Sequence, residues 1–214
     1  MPDTQVKPGV PTNHLKAAGN YCRHRRPTVI VMAGDQDDLP SLSLWDTPQK
    51  KAREKRALLS EDPDIEGDIE AGRRGRKEFL DAARAGSRTY DPRVLLTMGN
   101  HEHRLWRFRE EFPHLGAALS DKLFGYEEQG IEAHKFLEVV KIQGVSFSHY
   151  FVPNSHGRVV NTKMGQASAR QQVLNVGGSA VAGHRQGLDV ACVERQSGRM
   201  RGIIAGSFYQ HDAE

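Results

Sequence analysis

The sequence predicts an α/β fold in one domain spanning residues 1–214, with a mixed sheet or a two-sheet sandwich flanked by helices. Three observations point there. Two β-branched apolar runs, TVIVMAGD (28–35) and RVLLTMGN (93–100), stop abruptly in polar residues, as buried strands of an α/β sheet do. A segment with apolar residues at helical spacing lies between them. Later in the chain hairpin patterns replace this alternation, so the plan is not purely parallel.

Size and composition agree. A chain of 214 residues is long enough to bury a sizeable core. With 37% hydrophobic and 27% charged residues it is polar but foldable, which excludes a disordered chain. The formal net charge of +3 gives no whole-molecule argument for a nucleic-acid partner. Basic residues do cluster, in KKAREKR (50–56) and RRGRK (73–77). Such runs are usually solvated faces; the alternative is a surface that follows phosphates. Cys22 and Cys192 stand far apart, so a zinc-thiolate site has no support and a reducing compartment is the simplest expectation. There is no apolar run of membrane-spanning length and no signal-like N-terminus, which leads to the expectation of a soluble, cytoplasmic protein without membrane partners.

The elements follow in order. The Pro-rich stretch 1–11 reads as loop. Thr12 is placed to cap a helix through Cys22, with Leu15, Ala18 and Cys22 on one face. The strand at 28–35 ends in Gly34-Asp35. After an irregular charged stretch, Asp62 and Pro63 look like the cap and first position of a helix. Ile65, Ile69, Gly72, Phe79, Leu80 and Ala83 form its apolar face, and Gly86 stops it. The strand at 93–100 follows. Residues 114–136 read as helix and loop. LEVVKIQGVSFSHYF (137–151) is a hairpin turning at Gln143-Gly144, with its second strand ending at His149. SAVAGHRQG (179–187) is a short strand ending in Gly183-His184, and DVACVE and RGIIAGSF make a late hairpin.

Four expected strands thus end in Asp35, Asn100-His101, His149 and His184. Ligands gather at the carboxyl ends of strands in α/β sheets. Oxygen and imidazole donors without thiolate suit Mn, Fe, Zn or Mg rather than a structural zinc. Their number fits a two-metal centre, in which ions about 3.5–4 Å apart clamp a displacement at phosphorus.

GDQDD (34–38), GNHE (99–102), His149 and GH (183–184) occur in the order used by calcineurin-like metallophosphoesterases, and the chain resembles phage-encoded members of that superfamily along nearly its whole length. The resemblance implies an α/β/β/α sandwich of two mixed β-sheets and hydrolysis of a phosphoester by a dinuclear centre, most readily of manganese, with a metal-bound hydroxide as nucleophile. Asp35 would bridge the two ions. Asn100, His149 and His184 would complete the second site, and Asp3, Gln5 and Gln186 would belong to the first. His101 would protonate the leaving group or steady the phosphoryl oxygens, held by Asp38, and Arg104 would fork onto a substrate phosphate. Monoesters, diesters, nucleotides and nucleic acid all fall within the superfamily's range, and oligomeric state is left open.

The chain departs from that pattern in two places. Gln5 and Gln186 stand where the family has His, so the first site should bind its ion less tightly and prefer Mn or Mg. The replacements also leave open an impaired member that binds phosphate-bearing ligands without turnover. Asp3 follows only Met1 and Pro2, too little for the strand that carries this motif in the family, and more sheet is expected after AGSFYQHD, so truncation at both ends is expected. Among the remaining polar residues, Glu102 could support the ligand loop, His103 reads as a surface histidine, and Ser41 and Ser43 could orient a phosphate or cap a turn. His156 and His211 read as loop residues, and Trp45 and Trp106 as packing.

Overall fold

The computed structural model describes residues 1–43, 64–87, 89–115, 119–152, 165–196 and 198–210. Among these residues are four α-helices and eight strands in two sheets, an α/β architecture. The run 50–56, Asp62, Pro63, Trp45, His156 and His211 lie outside the described residues.

The first sheet holds β1 (Val29–Met32), β2 (Arg93–Thr97) and β3 (Ile131–His134) in the order β1-β2-β3. All its pairs are parallel. Two mixed sheets were expected; this one is parallel because helices α2 (Ile65–Arg84) and α3 (Arg104–Glu111) carry its crossovers. β3 corrects the reading of 114–136 as helix and loop. Only Ile131 of its four residues is buried, so no alternation announces it, and pairing with β2 makes it a strand.

α1 (Asn13–Arg25) and α2 cover this sheet. Ile30, Met32, Val94 and Leu96 pack with Leu15, Phe79 and Leu80 in one buried cluster. Gly19 allows the two helices to touch, since a Cβ there would run into the Phe79 carbonyl. Thr12 precedes α1 as expected, but its hydroxyl donates to Glu78 Oε2 (2.5 Å) rather than capping the helix. α2 begins at Ile65, and the side chain of Asp64 caps it by accepting from the Gly67 amide.

The second sheet contains β4 (Val140–Ile142), β5 (Val145–Phe147), β6 (Ala180–Ala182), β7 (Leu188–Arg195) and β8 (Gly198–Ala205), ordered β4-β5-β6-β8-β7. It is mixed: β5-β6 and β6-β8 are parallel, β4-β5 and β7-β8 antiparallel. The expected turn at Gln143-Gly144 has positive φ at both residues, the backbone that a two-residue hairpin favours. α4 (Ala169–Val176) lies on this sheet, with Val173 packed against Val193 and Met200. No described helix is long and apolar enough to cross a membrane.

The first residues lie along the chain that leaves β1. The Asp3 amide donates to the Gly34 carbonyl (3.0 Å), that of Gln5 to Asp35 (2.9 Å) and that of Val6 to Gln36 (2.9 Å). One isolated parallel bridge, Val6 to Asp37, is all the strand character this segment has. Asp3 is therefore seated without the apolar strand that the resemblance would require.

Candidate metal centre

The tips of β1 and β2 and the segments following β5 and β6 meet at one place. β1 leads through Ala33 and Gly34 into Asp35. Gly34 has φ +86°, and a Cβ there would collide with the His149 ring, so glycine is what lets this tip close on His149. Asp3, Gln5, Asp35 and His184 also have positive φ, between 41° and 66°. Such backbone is uncommon outside glycine, and it gathers here on site residues.

His149 is fully buried and central. Its Nδ1 donates to the Ala33 carbonyl (2.8 Å), which points Nε2 into the cluster. Around Nε2 stand Asn100 Oδ1 at 3.0 Å, His184 Nδ1 at 3.2 Å and Asp35 Oδ2 at 3.2 Å. Asp35, His149 and His184 each offer one ligand atom, all within 4.8 Å of one another, and could hold a metal ion.

The charges are strongly coupled. Burial would raise the Asp35 pKa, but His149 and His101 outweigh it and keep the carboxyl ionised. Burial opposes the charge on His149, yet Asp35 pushes its pKa up to about 9. His184 is pulled down to about 4 by burial and by His149. Asp3 is pushed up to about 7 by burial, with His149 opposing and Asp35 reinforcing. A single proton on His149 thus holds three lone-pair donors together without a metal. A divalent ion would replace that proton and meet oxygen and imidazole donors already converged, so the donor set fits one.

The other expected residues stand at varied distances from this cluster. Asp3 is buried, and its Oδ2 accepts from the His184 amide (2.9 Å). Gln5 is half-buried and Gln186 exposed. Both are tied through the backbone, Gln186 by its carbonyl to Ser207, and among the described contacts neither side chain reaches the cluster.

His101 and Asp38 meet as expected, with Nδ1 2.8 Å from Asp38 Oδ1. His101 Nε2 lies 3.8 Å from Asp35 Oδ2. Burial works against the imidazolium, but the Asp38 hydrogen bond and Asp35 prevail and raise its pKa. Arg104 donates through Nη1 to the Asp38 carbonyl (2.6 Å), and its Nη2 is 3.3 Å from His101 Nε2.

Comparison with protein-family models, curated proteins and solved structures finds no match.

Several supporting residues were faint or invisible in the sequence. Glu102, expected to brace the loop, is fully buried and accepts from the amides of Asp35 (3.0 Å), Gln36 (2.5 Å), Asp37 (3.1 Å) and Gly99 (2.7 Å). One carboxylate thereby ties both ligand loops together. Asp37 is buried against Arg76, whose Nη2 also donates to the Phe124 carbonyl (2.7 Å), and it accepts from the Tyr126 hydroxyl (2.9 Å). The basic run 73–77 is thus no uniform solvated face: Arg76 is 2% exposed, while Arg73 pairs with Glu128 and Lys77 with Asp81. Ser41 faces inward, accepting from the Asp64 amide (3.0 Å), which favours the capping role. His103 is no surface histidine; it is half-buried and stacked on Phe136.

Proposed function

We propose that this chain is a metal-dependent phosphoester hydrolase of the calcineurin-like type. One observation carries the reading: the Asp35, Asn100, His149 and His184 cluster lies immediately beside a His101–Asp38 dyad, with Asp35 in reach of both. Two sheets with α1 and α2 against one and α4 against the other support the α/β/β/α sandwich of that family.

A divalent ion held by the cluster would polarise the phosphoryl oxygens and acidify an attacking water. The chain's own groups do the rest. Asp38 fixes Nδ1 of His101 and keeps the ring protonated, so Nε2 presents a proton toward the cluster for the departing oxygen. Arg104, beside that nitrogen, neutralises and orients a phosphoryl oxygen. Asp35, Asp3 and Glu102 form a buried acidic group whose members raise one another's pKa, and a cation relieves that crowding. A second, weaker ion on Asp3, Gln5 and Gln186 belongs to the proposal, with manganese the best match to this oxygen-rich set. The two unpaired cysteines fit a reducing cytoplasm.

The test is hydrolysis of bis-p-nitrophenyl phosphate and p-nitrophenyl phosphate with Mn, Mg, Zn or EDTA, for the wild type and His101→Ala. Mn-dependent turnover, abolished by EDTA and reduced about 10²–10⁴-fold in the variant, is expected. Turnover indifferent to EDTA would sink the reading. The exposed Gln186 favours a second one, an impaired protein that binds phosphate-bearing ligands; retained metal binding with no turnover on a broad substrate panel would support it.

A further inference from the structure

Two features flank the cluster, and the proposed chemistry uses neither in full. The first is an excess of positive charge around Asp38. Lys7 Nζ lies 3.5 Å from Asp38 Oδ2, Arg104 Nη1 lies 3.6 Å from Oδ1, and His101 Nδ1 lies 2.8 Å from the same Oδ1. Among the described ion pairs this is the only acid that Lys7 and Arg104 meet. One carboxylate cannot neutralise all three groups, so the side facing the cluster attracts anions. The Lys7 side chain is 36% exposed, and Arg104 and His101 are only 13% and 15% exposed. Lys7 therefore stands on the solvent side of the group that meets the scissile phosphate.

The second feature is a row of rings. Tyr150 packs on the metal-cluster residue His184, with centroids 4.8 Å apart. Phe136 meets Tyr150 edge-on at 5.5 Å and stacks on His103 at 4.7 Å. His103 stacks in turn on Trp106 at 6.1 Å. The row starts at the cluster and ends on the first turn of α3, where Arg104 also begins. Phe136, His103 and Trp106 are only half-buried. Packing alone would not require an aromatic row to begin at a ligand group and stay partly open.

We propose that the site takes a single-stranded nucleic acid, with an unstacked base on the Phe136–His103 row and a neighbouring phosphate on Lys7 and Arg104. The inference rests on the phosphoesterase reading and names its substrate class. Cationic groups that follow the backbone, next to aromatic rings that stack bases, are the means by which proteins hold single strands. A duplex would not fit this recognition, because its bases are already stacked on one another.

Binding is measured by fluorescence anisotropy in EDTA, so that no strand is cut. The probes are a labelled oligothymidylate and an abasic strand of the same length, titrated between about 50 and about 200 mM salt. Lys7→Ala should weaken both probes alike and make the log–log salt slope shallower by about 0.7. Phe136→Leu should weaken the oligothymidylate about tenfold and leave the abasic strand unchanged, while Phe136→Tyr restores binding. His103→Ala serves as the second ring variant if Phe136→Leu does not fold by circular dichroism. An unchanged salt slope in Lys7→Ala, or equal weakening of both probes by loss of a ring, overturns the proposal. Hydrolysis of bis-p-nitrophenyl phosphate separates the two readings. Turnover without strand binding defeats this inference alone, and strand binding without turnover defeats the hydrolase alone.

Discussion

His101 and Asp38 show how much one hydrogen bond decides. The imidazole is largely buried, which by itself would discharge it; the carboxylate at 2.8 Å reverses that. Asp38→Asn removes the charge while nearly preserving shape. The His101 pKa should fall, so the alkaline limb of the pH–rate profile should move to lower pH, with turnover reduced about 10–100-fold; stopped-time assays across pH 5–10 check this. An unshifted limb would mean that another group carries the proton. The pairing was legible in the sequence because both residues stand a short, fixed distance past strand ends. His103 was misread because its stacking partner, Phe136, follows a strand that the local pattern did not announce.

At the scale of elements, two loops act as one. The GDQDD loop after β1 and the GNHE loop after β2 share Glu102, which takes amide hydrogens from both. Glu102→Ala leaves these donors to solvent or unmet, and should cost about 2–4 kcal/mol of stability in urea unfolding. Arg76 does a comparable job from α2, so that Arg76→Ala strands the Asp37 carboxylate in the core and should cost about 3–5 kcal/mol. Both variants should weaken metal binding without touching an ion. A loss below about 1 kcal/mol in either would show that the loops hold themselves. Neither role was readable from charge pattern, since a basic run on a helix reads the same whether or not one arginine turns inward.

For the whole molecule, the metal-free cluster makes stability depend on pH. The raised pKa of His149 contributes stability that is complete below about 6.5 and lost as pH rises through about 9. Asp3, raised to about 7, acts in the same direction at the lower end of this range. His184, depressed to about 4, acts the other way, but only below its ordinary value of 6.5. Between pH 7 and 9 the EDTA-treated chain should therefore lose thermal stability, by at most about 3–5 °C per pH unit for one proton. An ion needs the same His149 nitrogen free of its proton, so its affinity should climb over this window. Mn at about 100 times its Kd should add about 2.7 kcal/mol, with a larger shift at pH 9 than at pH 7 in calorimetry. A metal-induced shift that shrinks with pH would contradict the assignment of His149.

The sequence by itself determined where strands stop and what stands at their tips: Asp35, Asn100, His101, His149 and His184 are legible because apolar periodicity is local and breaks sharply at a polar residue. It also identified the Gln143-Gly144 turn, whose backbone demands are local as well. Only the tertiary structure decided that β3 is a strand and that the first sheet is parallel throughout. Tertiary packing also buries Arg76 against Asp37 and gathers four amides on Glu102, three of them from residues 65 to 67 positions away. Those outcomes depend on which distant groups share a dry interior. There, every carboxylate and amide must find a partner, and a linear pattern does not say which one.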